Sequence, residues 1–146
     1  DHAVATKAET SLAAIRCGME LLKVGGVMSL CIYSGGDTGF EEKDKIADFY
    51  LQHGVKEVII KMGGEGAYYK TSEKEGVVEG FSVKEIVDTV GAGDGFAVGV
   101  ISGRLEQLPI EEYVKRGNCI GALQIQVEGD NEGLPNRERL QNALNG

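Results

Sequence analysis

The run Asp88-Thr-Val-Gly-Ala-Gly-Asp94-Gly-Phe96 sets three glycines around an aspartate, directly ahead of an apolar segment from Phe96 to Leu105. Gly91, Ala92 and Gly93 carry little or no side chain, so backbone N–H groups there can approach a ligand closely. A helix that starts at this point aims its unpaired N-terminal donors the same way, and such a terminus attracts phosphate. Asp94 then stands where a carboxylate can take a proton from an attacking hydroxyl, the part a general base plays in phosphoryl transfer. An isolated Gly-Ala-Gly-Asp also reads as a tight strand-to-helix turn, with Asp94 a first-turn residue matched to the helix dipole.

The other chemistry-bearing residues suggest less. His2 sits at a terminus and His53 at a helix end beside Gly54, so both read as solvated or capping residues, and no Cys/His spacing fits zinc. Cys17, Cys31 and Cys119 are odd in number, widely spaced and set among apolar residues, which fits buried free thiols better than disulfides. Glu41, Glu42 and Asp44 with Lys43 and Lys45 make a charged first turn that reads as a solvated face. Tyr68 and Tyr69 alternate along a strand, which would put one in the core and one on the surface, with base stacking as the functional alternative.

Composition bounds the setting of these groups. A chain of 146 residues, 42% hydrophobic and 26% charged, has the make-up of one globular domain. A formal net charge of −8 disfavours nucleic acid or an acidic membrane surface as partner, since either would need a basic patch. The longest strongly apolar run, Gly26 to Tyr33, is far too short to span a bilayer, and no charged-then-apolar leader precedes it, so the expected location is cytoplasmic.

Hydrophobic periodicity supplies the frame. A helix is expected from about Lys7 to Lys23, with a capping box at Thr6 and Glu9 and a stop at Gly25. Val27 to Tyr33 reads as a buried strand that leads into a plain loop, Ser34-Gly-Gly-Asp37. A helix over about Glu41 to His53 carries Ile46, Phe49 and Tyr50 on one face, and strand Glu57 to Lys61 follows. Strand, helix, strand with short links is a βαβ unit, so those two strands should be parallel.

After Lys61 the spacing becomes that of hairpins: a turn at Met62 to Gly66, a strand at Ala67 to Thr71, a turn at Ser72 to Gly76, and short strands at Val77 to Glu79 and Lys84 to Val87. Helices are expected from Gly93 to about Gln107, Ile110 to about Val127 and Pro135 to about Leu144, with Pro109 and Pro135 as helix-start residues. The fold class is α/β in three layers, a mostly parallel sheet continued by short antiparallel strands and covered by helices on both faces.

Three motifs carry a family resemblance. Lys61-Met-Gly-Gly-Glu-Gly-Ala-Tyr-Tyr69, Val87-Asp-Thr-Val-Gly-Ala-Gly-Asp-Gly-Phe-Ala97 and Arg116-Gly-Asn-Cys-Ile-Gly-Ala-Leu-Gln-Ile-Gln-Val127, the last with Gly129 to Pro135, resemble the C-terminal part of a ribokinase-like (PfkB) carbohydrate kinase. Within that family they are most similar to 2-keto-3-deoxygluconate kinases. The resemblance implies that Gly91, Ala92 and Gly93 form an anion hole for the transferring phosphoryl group and that Asp94 is the base that activates the sugar hydroxyl. It further implies that Gly64 and Gly66 lie along the ATP phosphates and ribose, that Asn118 and Gly121 stand beside the adenine, and that Asp88 and Thr89 help hold a monovalent cation.

The first 44 residues resemble a different family. Asp1 to Leu12, Met19 to Gly26 and Tyr33 to Asp44 look like the later part of a class I S-adenosylmethionine-dependent methyltransferase of the rRNA methylase-like group. The two resemblances together imply a single chimeric domain, engineered or recombined, joined between about Gly39 and Ile46. The sugar-binding residues, lid and Asn-x-x-Glu magnesium motif of the kinase family are not identified before Ile46, and the Gly-rich cofactor loop of a methyltransferase is not identified either. The implied protein keeps half of a kinase site, with ATP weak or vestigial, Mg2+ needed if it is active, and no S-adenosylmethionine. The alternative is a working or complementable ATP-dependent kinase of 2-keto-3-deoxygluconate. Sheet edges and helix faces left without their usual cover make self-association a further expectation.

Overall fold

The computed structural model of the chain describes residues 43–146. The helix expected at Lys7 to Lys23, the strand at Val27 to Tyr33, the loop at Ser34 to Asp37, and His2, Cys17 and Cys31 lie outside the described residues.

Helix α1 (Lys43–Gln52) leads into strand β1 (Glu57–Lys61), a 3-10 turn at Gly63–Glu65, strand β2 (Ala67–Thr71) and strand β3 (Glu75–Val78). Helices α2 (Ala92–Leu105), α3 (Ile110–Gln124) and α4 (Arg137–Asn145) complete the described chain. The sheet order is β1-β2-β3, and both pairings are antiparallel. The parallel partner that a βαβ unit requires was expected at Val27 to Tyr33, outside the described residues.

Register explains how five-residue strands can serve two cores. Ile60 pairs with Tyr68 and Val58 with Lys70, and this side of the pleat receives Ala47 and Tyr50 of α1. The ion pair between Lys70 Nζ and Asp48 Oδ1, 2.7 Å, closes the rim of that face. Ile59, Ala67 and Tyr69 point the other way, against Ile110, Tyr113 and Val114 of α3 and Phe96 and Val100 of α2. Tyr68 and Tyr69 are therefore both buried, which corrects the expectation of one core and one surface tyrosine. The alternation is as expected, but a sheet covered on both faces has no wet side. Each hydroxyl finds a carboxylate at its edge of the layer, Tyr68 donating to Glu75 at 2.8 Å and Tyr69 to Glu111 at 3.0 Å.

Helices α2 and α3 meet along a seam of small residues. A Cβ on Gly99 would come within 2.6 Å of the Gly117 Cα, and one on Gly117 would stand 3.0 Å from Phe96 and Val100. The two backbones thus approach more closely than side chains would allow. α2 ends at Leu105, short of the expected Gln107, because Gln107 adopts φ 59° and the Leu108 N–H closes back on the Gly103 carbonyl at 3.1 Å. That is a left-handed helix stop made without glycine.

Two further expectations are corrected. Lys84 to Val87 is not a strand. The Val87 and Asp88 N–H groups both donate to the Ile125 carbonyl, at 2.8 and 3.3 Å, so this segment ties to the end of α3 in place of a sheet ladder. The last helix begins at Arg137, two residues after Pro135, because Asn136 is the cap and its side chain accepts the Arg139 N–H at 2.8 Å.

Candidate functional site

The crossing from β1 into β2, the irregular segment from Gly80 to Ile86, the start of α2 and the middle of α3 enclose a cleft of about 700 Å3. Each wall follows from a local cause. The Met62 N–H donates to the Gly66 carbonyl at 2.8 Å, which curls the chain tightly over the cleft. Gly66 has φ 103°, and a Cβ there would strike the carbonyl of Val78 and the backbone of residues 79 and 80. On the facing wall, the Asn118 amide donates to the carbonyls of Val78 and Glu79, at 2.9 and 3.1 Å, and so fixes the exit of β3 onto α3.

The floor is the start of α2. Gly91 adopts the left-handed conformation, φ 75°, and its carbonyl accepts the first helical bond from Gly95 N–H at 2.8 Å. No side chain caps this end, so the N–H groups of Gly93 and Asp94, both ahead of that first bond, keep their donors for a ligand. Gly91 packs directly on the Asp130 carbonyl. The loop that carries Asp130 is held by fully buried Gln124, which donates to the Gly129 carbonyl at 2.7 Å and accepts the Gly133 N–H at 3.0 Å.

The residues singled out from sequence divide cleanly. Gly64, Gly66, Thr89, Ala92, Gly93, Asn118 and Gly121 all line this one cleft. Gly91 and Asp94 do not: Gly91 is the cap beneath it, and Asp94 is an exposed first-turn residue at its end. Asp88 also lies outside the lining. Its carboxylate accepts the Val90 N–H at 3.0 Å and the Gly129 N–H at 3.4 Å, and these bonds hold its pKa below the ordinary aspartate range. Gly121 is constrained by packing, since a Cβ there would sit 3.2 Å from the Ala92 carbonyl.

Sequence reasoning missed the Gly80 to Ile86 wall and assigned no part to Lys61, both of which line the cleft. Lys61 had a visible signal, since alternation along β1 puts it on the same side as Ile59, the side that faces α2. The candidates set aside behave as expected where described. His53 Nδ1 donates to the Phe49 carbonyl at 2.7 Å, closing the end of α1. Cys119 is a buried free thiol whose pKa burial pushes up. Among the described residues, no cluster of three or more His, Cys, Asp or Glu gathers that could hold a metal ion, and no helix is long and apolar enough to cross a membrane.

A cleft of this size, with free amide donors on its floor, glycines on two walls and apolar residues such as Phe81 and Ile125 between them, suits a ligand with one anionic end and one flat apolar end. The chain is 57% identical over 107 residues to a 2-dehydro-3-deoxygluconokinase of Bacillus subtilis, an alignment covering 73% of this chain and 33% of the relative. A crystal structure of a PfkB protein from Polaromonas sp. JS666 matches with TM-score 0.60 and 43% identity, over 75% of this chain and 33% of that one. A ribokinase II of E. coli in complex with ATP and Mg2+ matches with TM-score 0.68 and 31% identity, over 71% of this chain and 33% of that one. The chain thus spans about a third of the length of these relatives. The family described as "Putative rRNA methylase" matches residues 1–62, a stretch that overlaps the second family match and includes α1 and β1. That second match, to the pfkB family carbohydrate kinases, runs over residues 34–137, more than half of the sequence, and the chain belongs to this family.

Proposed function

We propose that this chain carries the nucleotide-phosphate half of an ATP-dependent sugar kinase site, and that 2-keto-3-deoxygluconate is the sugar the site descends from. One observation carries the reading: Gly64, Gly66, Ala92, Gly93, Asn118 and Gly121, assigned to the nucleotide from three separate motifs, all line a single cleft. The 57% identity to a 2-dehydro-3-deoxygluconokinase supports the choice of sugar.

In this reading the adenine lies toward Asn118 and Gly121, the phosphates run past Gly64 and Gly66, and the terminal phosphoryl rests on the amides that follow Gly91. In a completed site Asp94 would take the proton from the attacking hydroxyl as the new P–O bond forms and the bond to the leaving ADP oxygen breaks. Mg2+ bound to the nucleotide would offset charge on the phosphate oxygens. Asp88 and Thr89 are the positions for a monovalent cation. The two amides on Asp88 leave its carboxylate further lone pairs for that purpose.

The same reading holds that residues 1–44 are a methyltransferase-like segment joined to residues 45–146 in one chimeric cytoplasmic domain, without S-adenosylmethionine, nucleic acid or membrane as partner. Turnover by this chain alone is then absent, and the anion hole and base remain as a half-site. Val98, Ile101 and Leu105, exposed along one side of α2, support self-association through that face.

Titration calorimetry with ATP and Mg2+, beside a coupled assay on 2-keto-3-deoxygluconate, tests the proposal. Heat should be seen with both the native chain and Asp94→Asn, and turnover with neither. Turnover that disappears on Asp94→Asn would replace the half-site by a working kinase; no heat at all would remove nucleotide binding.

A further inference from the structure

Helix α2 has one covered side and one bare one. Gly95, Gly99 and Gly103 are its buried residues, and all three pack on residues of α3. Asp94, Val98, Ile101, Arg104 and Leu105 are exposed, the three apolar ones at 45%, 52% and 79%. An apolar stripe on the outer side of a helix that is already packed on its inner side marks a second contact surface.

The exposed residues carry a pattern that reads the same in both directions. Asp94, Val98, Ile101 and Leu105 are four, three and four residues apart, the spacing of the seam along which two helices pair. Because that spacing is its own reverse, an antiparallel second copy brings Val98 opposite the partner's Ile101 and Asp94 opposite the partner's Leu105, and a two-fold axis repeats both contacts. Charge has the same symmetry. The stripe has one carboxylate, Asp94, in the first turn and one guanidinium, Arg104, in the last. Antiparallel helices set each Asp94 beside the partner's Arg104, whereas parallel ones would set like charges together, and opposed helix dipoles favour the same arrangement. Arg104 contacts Glu57 through Nη1 and has 43% of its side chain exposed, which leaves it guanidinium donors to offer. Glu106, one residue past the end of α2, is already taken by Arg116 at 2.8 Å and Arg137 at 3.3 Å.

We infer that the partner of this face is a second copy of the chain, in a closed two-fold dimer whose seam is α2 against an antiparallel α2. The inference rests on the reading that Val98, Ile101 and Leu105 mediate self-association, and it adds the register, the charge pairing and a consequence. The consequence falls on Asp94. In the dimer its carboxylate is engaged by the partner's Arg104 and screened from an acceptor hydroxyl. The chain thus covers the base of its own half-site, while the cleft, whose lining does not include Asp94, stays open to a ligand.

Sedimentation equilibrium of the full chain over a concentration series tests this. The native chain should fit a monomer–dimer equilibrium, and Ile101→Lys should be monomeric at an unchanged melting temperature. Asp94→Arg and Arg104→Asp each set like charges together at both ends of the seam, so each should weaken the dimer at least about tenfold, two exposed ion pairs being changed at once. Mixed in equal amounts, these two variants should dimerise as the native chain does, because each Arg then meets an Asp. If Arg104→Asp loses its fold with the Glu57 contact, Asp94→Arg against Asp94→Asn decides, and the Arg variant should be the weaker dimer. No recovery in the mixture, or equal dimers from those two Asp94 variants, would overturn the antiparallel pairing and leave self-association standing. Open-ended assemblies that Ile101→Lys abolishes would do the same. A native chain that stays monomeric, as when residues 1–42 or a different protein cover the face, would overturn both, and so would association that survives Ile101→Lys.

Discussion

The cleft and the α2–α3 seam share both helices, and Gly64 and Gly99 use the absence of a side chain in opposite ways. At the seam, a Cβ on Gly99 would stand 2.6 Å from backbone atoms of Gly117, so glycine is there to let two helices touch. At the cleft, a Cβ on Gly64 would meet nothing within 4 Å, so no part of the protein forbids a side chain. One region is a closed contact whose constraint is internal. At Gly64 the cleft is open space, and a constraint there must come from something that enters, whereas Gly66 and Gly121 on the same lining are held by packing. Gly91 stands between the two: its φ of 75° and its contact with the Asp130 carbonyl are internal demands, yet they shape the amides that face the cleft.

The seam gives the largest expected effect. Gly99→Ala cannot be absorbed by rotating a side chain, because the obstacle is backbone, so α2 must move away from α3. We expect a loss of about 3 kcal/mol in unfolding free energy by urea denaturation, the upper part of the range for overpacking. A loss below about 1 kcal/mol would mean that the helices slide apart at little cost and that the seam is not the rigid partner of the comparison.

Acid should act next, on the Asp88 turn beneath the cleft. Asp88 has a depressed pKa because the Val90 and Gly129 amides bond its charged form. A depressed folded pKa means that its stabilisation is present above the ordinary aspartate value and is lost as pH falls through the lower, folded one. Below that pH the tie between the Asp88 turn and the Gly129 loop opens, and the floor under Gly91 loosens. The Val90 and Gly129 amide resonances should titrate together with a midpoint below the ordinary aspartate range. A midpoint at the ordinary value, or independent movement of the two amides, would mean that Asp88 does not tie the turn to the loop.

Much of this was legible in the sequence, and the exceptions have physical causes. The bounds of β1 and β2 follow from β-branched and aromatic alternation between glycines, and the start of α2 follows from the Gly91 turn. The pair Tyr68 and Tyr69 was misjudged because period-2 alternation reports two faces and not what covers them. The segment from Lys84 to Val87 has strand-like composition, but its Val87 N–H, with that of Asp88 beyond it, goes to Ile125, a bond formed by tertiary placement that no local pattern encodes. The end of α2 at Leu105 was missed because the left-handed stop at Gln107 uses a residue that pattern rules do not expect there. Lys61 lay inside a quoted motif, and its place in the cleft became visible when Gly93 and Phe96 were found beside it.

The smallest effect on stability is the sharpest test of the cleft. Gly64 is exposed, sits in the 3-10 turn and has room for a methyl group, so Gly64→Ala should change unfolding free energy by no more than about 0.5 kcal/mol, the usual range for a surface position away from special features. Its effect on ATP should be larger, because the turn lines the cleft and a methyl group there would occupy space through which the phosphates are proposed to run. A several-fold weaker affinity at unchanged melting temperature is the expected pair of results. That pair cannot arise at the seam, where Gly99→Ala must cost stability before it can affect a ligand. If Gly64→Ala instead binds ATP as the native chain does, the open space at Gly64 is not ligand space. The contrast between Gly99 and Gly64 would then reduce to packed against unpacked backbone.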